Sequence, residues 1–175
     1  MPMETKPFSE TVTLRPAGAE DAPALSAFFR VAGGETDFLS FGTEDCPYDT
    51  DTCEQMIAEA CGEGNLLLLA FAGEKLIGEV SLSTPSRKRF AHIRELGIAI
   101  LADWCGQGLG TRLLREALAH AEETGARIVF LSCAEENARA LHLYKKLGFV
   151  EYGCFPQQSY YGGVYHDTVY MVKYL

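Results

Sequence analysis

The stretch from His92 to Thr124, HIRELGIAILADWCGQGLGTRLLREALAHAEET, joins three different local patterns. Residues 92–101 are mostly apolar and rich in isoleucine, which predicts a strand. Glycines then alternate at positions 106, 108 and 110. Apolar residues recur after them at 113, 114, 117, 118 and 121, which is the spacing of an amphipathic helix. The stretch therefore predicts a strand, a glycine-rich loop and a helix, in that order.

The glycine-rich loop, 105–110, has the composition of a phosphate-binding turn. Alternating glycines let successive backbone N–H groups point to one place, and the N-terminus of the following helix adds partial positive charge. The loop is not a P-loop, because Thr111 and Arg112 follow its last glycine where Lys and Ser or Thr would be needed. The dinucleotide fingerprint is excluded because position 111 is not glycine. Taken alone, the loop is equally compatible with a plain turn before a helix.

The rest of the chain alternates between strand and helix patterns. Strands are predicted over 11–15, 65–72, 75–83, 127–133, 149–155 and 164–173. Helices are predicted over 19–32, where Gly33 and Gly34 would end the first of them, and over 52–61 and 137–146. The nearly continuous apolar run at 127–133 is typical of a central strand covered on both faces. These elements predict an α/β fold around one sheet, as a single domain over 11–175 after a flexible N-terminus, 1–10.

Composition and charge exclude several classes of protein. The 175 residues are 47% hydrophobic and 22% charged, which indicates a folded domain rather than a disordered or fibrous chain. Acidic side chains outnumber basic ones by 24 to 15, a net charge of −9, which disfavours non-specific binding to nucleic acid. The same charge suits either solubility or a cationic substrate. Neither a membrane-spanning stretch nor a signal sequence is evident, so we expect a cytoplasmic protein without a membrane partner.

The six cysteines do not form a recognisable metal site. They include no C-x-x-C pair and no Cys/His grouping with zinc-ligand spacing. We therefore expect buried free thiols and no metal.

A second motif, NARALHLYKKLGF, spans residues 137–149 after the next predicted strand. The pair of motifs, Gly-x-Gly-x-Gly and then Asn-x-x-Ala-x-x-Leu-Tyr-x-x-x-Gly-Phe, resembles the GNAT superfamily of acetyl-CoA-dependent N-acetyltransferases. The resemblance is strong over about 92–155, and the order of predicted elements extends it over nearly the whole chain. It implies a mixed, mostly antiparallel central sheet flanked by helices. Acetyl-CoA would bind as co-substrate where the strand, the glycine loop and the helix meet.

The resemblance also implies roles for individual residues. The strand backbone at Ile98, Ala99 and Ile100 would pair with the pantetheine arm of acetyl-CoA. The backbone amides that would hold the pyrophosphate belong to Gly106, Gln107, Gly108, Leu109, Gly110 and Thr111. Asn137 would hydrogen-bond the pantetheine, and Tyr144 would lie near the thioester sulfur as the acid for the leaving thiolate. Cys105 stands where the family usually has Arg or Gln. We expect binding to survive this departure, because backbone amides make most of the phosphate contacts.

Acetyl transfer to an amine also needs a group that removes a proton, since an alkylamine has a pKa of about 10. Glu95 is the candidate for the base or for a residue that orients a water, and His92 is the alternative because its side chain titrates near neutral pH. Strand alternation places Glu95 on the face opposite Ile98 and Ile100 unless a bulge intervenes.

The acceptor is expected to contact the loop 35–42 and the tail 160–167. Their carboxylates and aromatic faces suit an ammonium group, and the candidates are Glu35, Asp37, Phe38, Tyr160 and Asp167. A polar hairpin and sheet edge without this role is an equally weighted alternative.

The sequence thus predicts an N-acetyltransferase that moves the acetyl group of acetyl-CoA to a primary amine by direct attack in a ternary complex. The amine would belong to a small molecule, a peptide or a protein. The alternative is a non-catalytic acyl-CoA-binding or sensing module on the same fold. A homodimer formed by pairing of sheet edges is compatible with the sequence.

Overall fold

The computed structural model describes residues 11–175, and the N-terminus predicted to be flexible, 1–10, lies outside the described residues. The strands are β1 Val12–Pro16, β2 Leu66–Ala72, β3 Lys75–Ser83, β4 Ile93–Ile100, β5 Ile128–Ala134, β6 Val150–Tyr161 and β7 Val164–Tyr174. The α-helices are α1 Ala22–Glu35, α2 Thr50–Ala60, α3 Leu109–Glu123 and α4 Ala138–Lys146. The strands form one sheet in the order β1-β2-β3-β4-β5-β7-β6. Only the β4–β5 pair is parallel among these neighbours, which confirms the predicted mixed, mostly antiparallel sheet.

Helices cover the two faces of the sheet unequally. Helix α3 buries the apolar residues that its sequence spacing predicted, including Leu113 and Leu114, against β2, β3 and β4. Helices α1 and α2 bury Leu25 and Phe29 of α1 and Ile57 of α2 on the opposite face. The buried strand residues in this second cluster come from β2, β3 and β4 and the residue after β4. The α1/α2 layer therefore stops short of β5.

The prediction that β5 is covered on both faces is wrong. Val129, Leu131 and Cys133 are buried, but Ser132 is exposed and Phe130 is half-buried on the other face. β5 is central in the sheet and is covered by helices on one face only, because α1 and α2 lie over β2–β4. The face of the sheet that α1 and α2 cover at β2–β4 is therefore left open at β5.

The predicted end of α1 at Gly33 and Gly34 is also wrong, since the helix continues to Glu35. A Cβ atom on Gly33 would lie 3.0 Å from the Phe41 ring and 3.1 Å from the Gly42 backbone. The glycine therefore serves close packing of the following loop against the helix rather than helix termination. The Glu35 carboxylate accepts a hydrogen bond of 2.7 Å from the Ala102 N–H, which fixes the end of α1 to the segment after β4.

None of the helices described between residues 11 and 175 is long and apolar enough to cross a membrane.

Arg94 of β4 ties together several turns from inside the fold. Its side chain is 2% exposed. The guanidinium donates hydrogen bonds to the carbonyl oxygens of Gly64, Ala91, Ile93 and Thr124. A buried charge is tolerated only when such partners satisfy it, so these contacts depend on one another.

Arg94→Met is expected to lower the free energy of unfolding by about 2 to 3 kcal/mol, because it removes the donors of these four carbonyls while keeping most of the apolar stem. Urea unfolding of the two proteins measures the difference. Arg89→Met, at an exposed position, is the control and should change stability by less than about 0.5 kcal/mol. Equal losses for the two variants would contradict a special role for Arg94.

Candidate active site

A gap opens in the sheet between β4 and β5. The two strands pair in parallel at residues 93–95 and 128–130, and their described pairing ends at Glu95 and Phe130. The Leu101 N–H donates to the Ile77 oxygen at 3.0 Å. Antiparallel alternation then directs the backbone N–H and C=O groups of Ile98 and Ile100 away from β3 and toward the gap. The edge of β4 therefore offers backbone groups to an extended ligand.

The three residues predicted to contact pantetheine are thus not equivalent. Ile98 and Ile100 present their backbone groups to the gap, whereas Ala99 pairs with Glu79 and directs its backbone toward β3. The side chains of Ile98 and Ile100 pack against the cluster under α3. Ala99 belongs to the cluster under α1 and α2.

The glycine loop leads into α3 with its amides open. Gly106 and Gly108 have φ values of 76° and 92°, a region that favours glycine. Gly108 is the N-cap of α3 and has no side chain to cap the helix. The first helical bond runs from the Arg112 N–H to the Gly108 oxygen at 3.1 Å, so the amides of residues 109–111 have no acceptor within the helix. These amides and the helix dipole suit an anion.

Gly110 has a packing role in the same loop. A Cβ atom there would lie 3.0 Å from Leu143 of α4 and 3.4 Å from Ile100 of β4. Its absence lets α3, α4 and the end of β4 approach one another. The gap, the loop and the second motif are thereby brought to one place.

A depression of about 490 Å³ adjoins the start of α3. Its lining residues are Gly108, Thr111, Arg112, Arg115, Glu116 and Lys146. Arg112 donates a 2.9 Å hydrogen bond to the Val12 oxygen, which holds its guanidinium near β1. Three cationic side chains beside open amides make this surface suitable for phosphate groups.

Asn137 and Tyr144 occupy opposite ends of α4. The Asn137 side chain caps the helix by accepting a 3.2 Å hydrogen bond from the Ala140 N–H. Tyr144 is 6% exposed, and its ring packs edge-on against Phe149 with centroids 5.9 Å apart. Burial raises the pKa of Tyr144, and negative charge on Cys133 of β5 or Glu79 of β3 would raise it further. The hydroxyl is therefore a neutral hydrogen-bond donor near the strands that border the gap.

Glu95 and His92 lie at different distances from the gap. Glu95 is exposed at the last position of β4 that pairs with β5, where the gap begins. The β3–β4 register has no bulge, so Glu95 lies on the α1/α2 face, opposite Ile98 and Ile100, as alternation predicts. His92 precedes β4 and lines a separate depression with Arg127, at the other end of the strand.

Two of the carboxylates predicted to hold the acceptor are used within the fold. Glu35 bonds the Ala102 N–H, as described above. Asp167 accepts a 2.8 Å hydrogen bond from the Gln157 N–H at an irregularity of β6, where Gln157 has φ 57°. Tyr160 is 63% exposed and pairs with Tyr165. By alternation along β7 from the buried Val169 and Met171, Tyr160 and Asp167 face the α3/α4 side, away from the face of Glu95. The structure therefore does not bring them together with Glu95.

A polar cluster that the sequence did not predict lies on the hairpin instead. His166 Nδ1 is 2.8 Å from Glu136 Oε1, and the imidazole stacks on Tyr161 at 3.7 Å between ring centroids. The hydrogen bond with Glu136 raises the pKa of His166, and negative charge on Asp37 raises it further. Asp37, one of the predicted acceptor residues, is thus close enough to act on this cluster, and it is followed by the exposed Phe38. Glu136 directly precedes the Asn137 motif, which was the available sequence signal.

Glu79 is a second residue that the sequence did not predict as functional. Its side chain is 4% exposed, and Oε2 has no hydrogen-bond partner among residues 11–175. Burial raises the pKa of Glu79 to about 8, against the opposing effect of hydrogen bonds from the Ala99 N–H and the Ser81 hydroxyl. The available signal was a glutamate within the apolar strand pattern LIGEVSL.

The cysteines give no metal centre. All six are free. Cys53 and Cys133 are buried, but the expectation of buried thiols is wrong for the exposed Cys61 and Cys154. Burial raises the pKa of the Cys105 thiol, so this residue does not resemble an activated nucleophile. No group of metal-ligating side chains occurs within the described range 11–175.

Comparison with known proteins agrees with this geometry. Residues 34–149 match the Acetyltransferase (GNAT) family. An acetyltransferase of the GNAT family from Streptococcus pneumoniae has a TM-score of 0.89 and 33% identity, with coverage of 94% of this chain and 100% of that one. L-amino acid N-acetyltransferase AaaT of Escherichia coli (strain K12) is 27% identical over 108 residues, which are 61% of this chain and 66% of that protein. Phosphinothricin N-acetyltransferase of Alcaligenes faecalis is 29% identical over 166 residues, 92% of this chain and 81% of that protein.

The fold, the gap and these relatives place the chain in the class of acyltransferase enzymes. It belongs to the Acetyltransferase (GNAT) family, which confirms the resemblance found in the two sequence motifs.

Proposed function

We propose that the protein transfers the acetyl group of acetyl-CoA to a primary amine by direct attack in a ternary complex. The observation that carries this proposal is the gap between β4 and β5, where Ile98 and Ile100 present backbone groups beside the open amides of α3. An extended pantetheine arm would pair with β4, and the anionic phosphates would meet the backbone amides of residues 106–111 and the nearby cations. Asn137 would hydrogen-bond the pantetheine.

The proposed step needs two proton movements. A proton leaves the ammonium group of the acceptor, and the nitrogen lone pair then forms a bond with the acetyl carbonyl carbon as the C–S bond breaks. Tyr144 donates its hydroxyl proton to the leaving sulfur, and the second proton released by nitrogen restores the hydroxyl. Glu95, exposed where the gap begins, is proposed as the base or as the residue that orients a water there.

A small-molecule amine is the favoured acceptor. The two named relatives are an L-amino acid N-acetyltransferase and a phosphinothricin N-acetyltransferase, and this supports an amine of that size over a protein. Asp37 and Phe38 remain the proposed acceptor contacts of the α1–α2 loop, whereas the local bonds of Glu35 and Asp167 favour a structural role.

An amine panel tests this function. Purified protein would be incubated with acetyl-CoA and separate pools of L-amino acids, polyamines, amino sugars and peptides, with thiol release and product mass as readouts. We expect thiol release with a matching acetylated product in a small-molecule pool. Product in the peptide pool alone would overturn the favoured acceptor. Tight binding of acetyl-CoA without thiol release in any pool would favour the sensing module instead.

We also propose a homodimer formed along β6. This strand ends the sheet of the described residues and exposes several large apolar side chains, among them Val150, Tyr152 and Phe155 at 56–59% exposure. Long exposed edges of this kind are suited to pairing with a second chain. Sedimentation equilibrium should give twice the monomer mass of 19.2 kDa, and Tyr152→Lys should shift it toward the monomer. A monomer at all concentrations would contradict the proposal.

A further inference from the structure

The connection between β5 and α4 carries Asn137, and contacts from β7 hold this connection in place. The Glu135 N–H donates to the Asp167 oxygen at 3.0 Å, so the chain continues beside β7 after β5 has ended. Glu136 follows, and its carboxylate oxygen Oε1 lies 2.8 Å from Nδ1 of His166. The residue next along the chain is Asn137, whose position therefore depends on how β7 holds the two glutamates.

Burial does little to fix this end of α4. Within Ala138–Lys146 only Tyr144 is buried, and it lies toward the C-terminal end of the helix. Ala140, in the first turn, is only partly buried against the core. The Asn137 side chain uses Oδ1 to cap the helix, so Nδ2 is the donor that it offers to a ligand. A segment with few buried contacts depends on its polar contacts for its position.

The His166 ring has a hydrogen-bond acceptor beside each of its nitrogens. Nδ1 faces the Glu136 carboxylate, and Nε2 lies 3.3 Å from the carbonyl oxygen of Tyr161. A neutral imidazole has one N–H group, so it would turn a nitrogen lone pair toward one of these oxygens. The imidazolium donates to both. The ring also stacks on the Tyr161 ring, with 3° between the planes, and the His166 side chain is 16% exposed. The geometry therefore favours the charged form.

The groups around His166 act in the same direction. They are Glu136 of the β5–α4 connection, Tyr161 of β6 and Asp37 of the α1–α2 loop, while Ser159 opposes it on β6. The hydrogen bond with Glu136 raises the pKa of His166 above its ordinary value of 6.5, partial burial opposes this, and Asp37 raises it further. The stabilisation by the imidazolium is therefore present below pH 6.5 and is lost as the pH rises through the raised value.

We propose that His166, as an imidazolium bonded to Glu136 and Tyr161, is a positioning residue that directs the Asn137 amide toward the pantetheine arm of acetyl-CoA. This inference rests on the pantetheine contact in the proposed function and adds a dependence of that contact on the β6–β7 hairpin. When His166 loses its proton to solvent, one of its two hydrogen bonds is lost and the connection is held less firmly. Acetyl-CoA should then bind more weakly.

The test measures the calorimetric Kd for acetyl-CoA as a function of pH. We expect wild-type affinity to fall by about three- to fivefold as His166 loses its proton, a modest effect because Glu136 is half exposed. His166→Gln should have the weaker affinity at every pH. His166→Arg should keep the stronger affinity at every pH, because its guanidinium stays charged and can stack on Tyr161. His92→Gln, exposed at the other end of β4, should follow the wild-type profile.

Two further measurements test the route through Asn137. ADP keeps the pyrophosphate but lacks pantetheine, so wild type and His166→Gln should bind it equally. Asn137→Ser keeps an oxygen that caps α4 and lacks the amide donor. In the Asn137→Ser background, His166→Gln should therefore cause no further loss of acetyl-CoA affinity, since interacting residues are not additive.

One Kd profile shared by wild type, His166→Gln and His166→Arg would overturn the inference. An equal loss of ADP affinity in His166→Gln, or a His166 effect that persists in Asn137→Ser, would overturn it as well. If the His166 variants do not fold, Glu136→Gln with the wild-type profile would do so, because the Glu136 side chain is 49% exposed. Every readout is binding, so a protein that gives the expected profiles and acetylates no amine would support this inference while refuting the proposed transfer.

Discussion

Tyr144→Phe is expected to lower kcat by about 100-fold and to leave the affinity for acetyl-CoA unchanged. The substitution removes one oxygen from a ring that is 6% exposed and packed against Phe149, so the shape of α4 should be preserved. What is lost is the proton that the leaving thiolate needs, and a positioned acid of this kind contributes about 10²-fold or more. Because burial raises the pKa of Tyr144, the hydroxyl stays protonated and the difference between the two proteins should persist as the pH rises.

Steady-state kinetics with the reactive amine, together with calorimetric titration of acetyl-CoA, measures both quantities. Tyr174→Phe is the matched control, because this tyrosine is 70% exposed at the end of β7 and should keep the wild-type kcat. An unchanged kcat in Tyr144→Phe would remove Tyr144 from the mechanism. A large loss of acetyl-CoA affinity would instead assign the hydroxyl to binding.

The part of the site that the sequence predicted is encoded locally. The glycines at 106, 108 and 110 and the apolar spacing of α3 lie within one continuous stretch, so their conformations follow from their own composition. Asn137 was likewise found at the start of α4, where an asparagine caps a helix. These features place the open amides and the second motif without knowledge of distant contacts.

The part that could not be predicted depends on pairing between distant strands. Glu79 becomes a buried acid only because it is opposite Ala99 and under the α1/α2 layer, which no local pattern reveals. His166 and Glu136 are 30 residues apart and meet only through the sheet. Tyr160 and Asp167 were assigned from residue type, but the register of β6 and β7 determines which face they occupy. Residue type was enough to suggest these side chains as contacts for an amine, but only the strand register shows which face of the sheet they occupy.

Gly108→Val is expected to weaken acetyl-CoA binding by about 10- to 100-fold. Gly108 has φ 92°, and placing a side chain in this backbone conformation costs about 1 to 3 kcal/mol even where the space around it is open. A Cβ atom added to Gly108 would have no other atom within 4 Å, so the cost arises in the backbone and not from a clash. The loop would relieve it by rotating, which turns the amides before α3 away from the phosphates they are proposed to hold.

A glycine elsewhere separates this effect from general destabilisation. Gly125, which follows the opposite end of α3, also has a positive φ of 76° and no atom within 4 Å of an added Cβ. Gly125→Val should therefore lower the melting temperature while leaving the calorimetric Kd for acetyl-CoA unchanged. Gly108→Val should change both. Wild-type affinity in Gly108→Val would show that the conformation of this loop does not hold the phosphates, and an equal loss of affinity in the two variants would attribute the effect to stability alone.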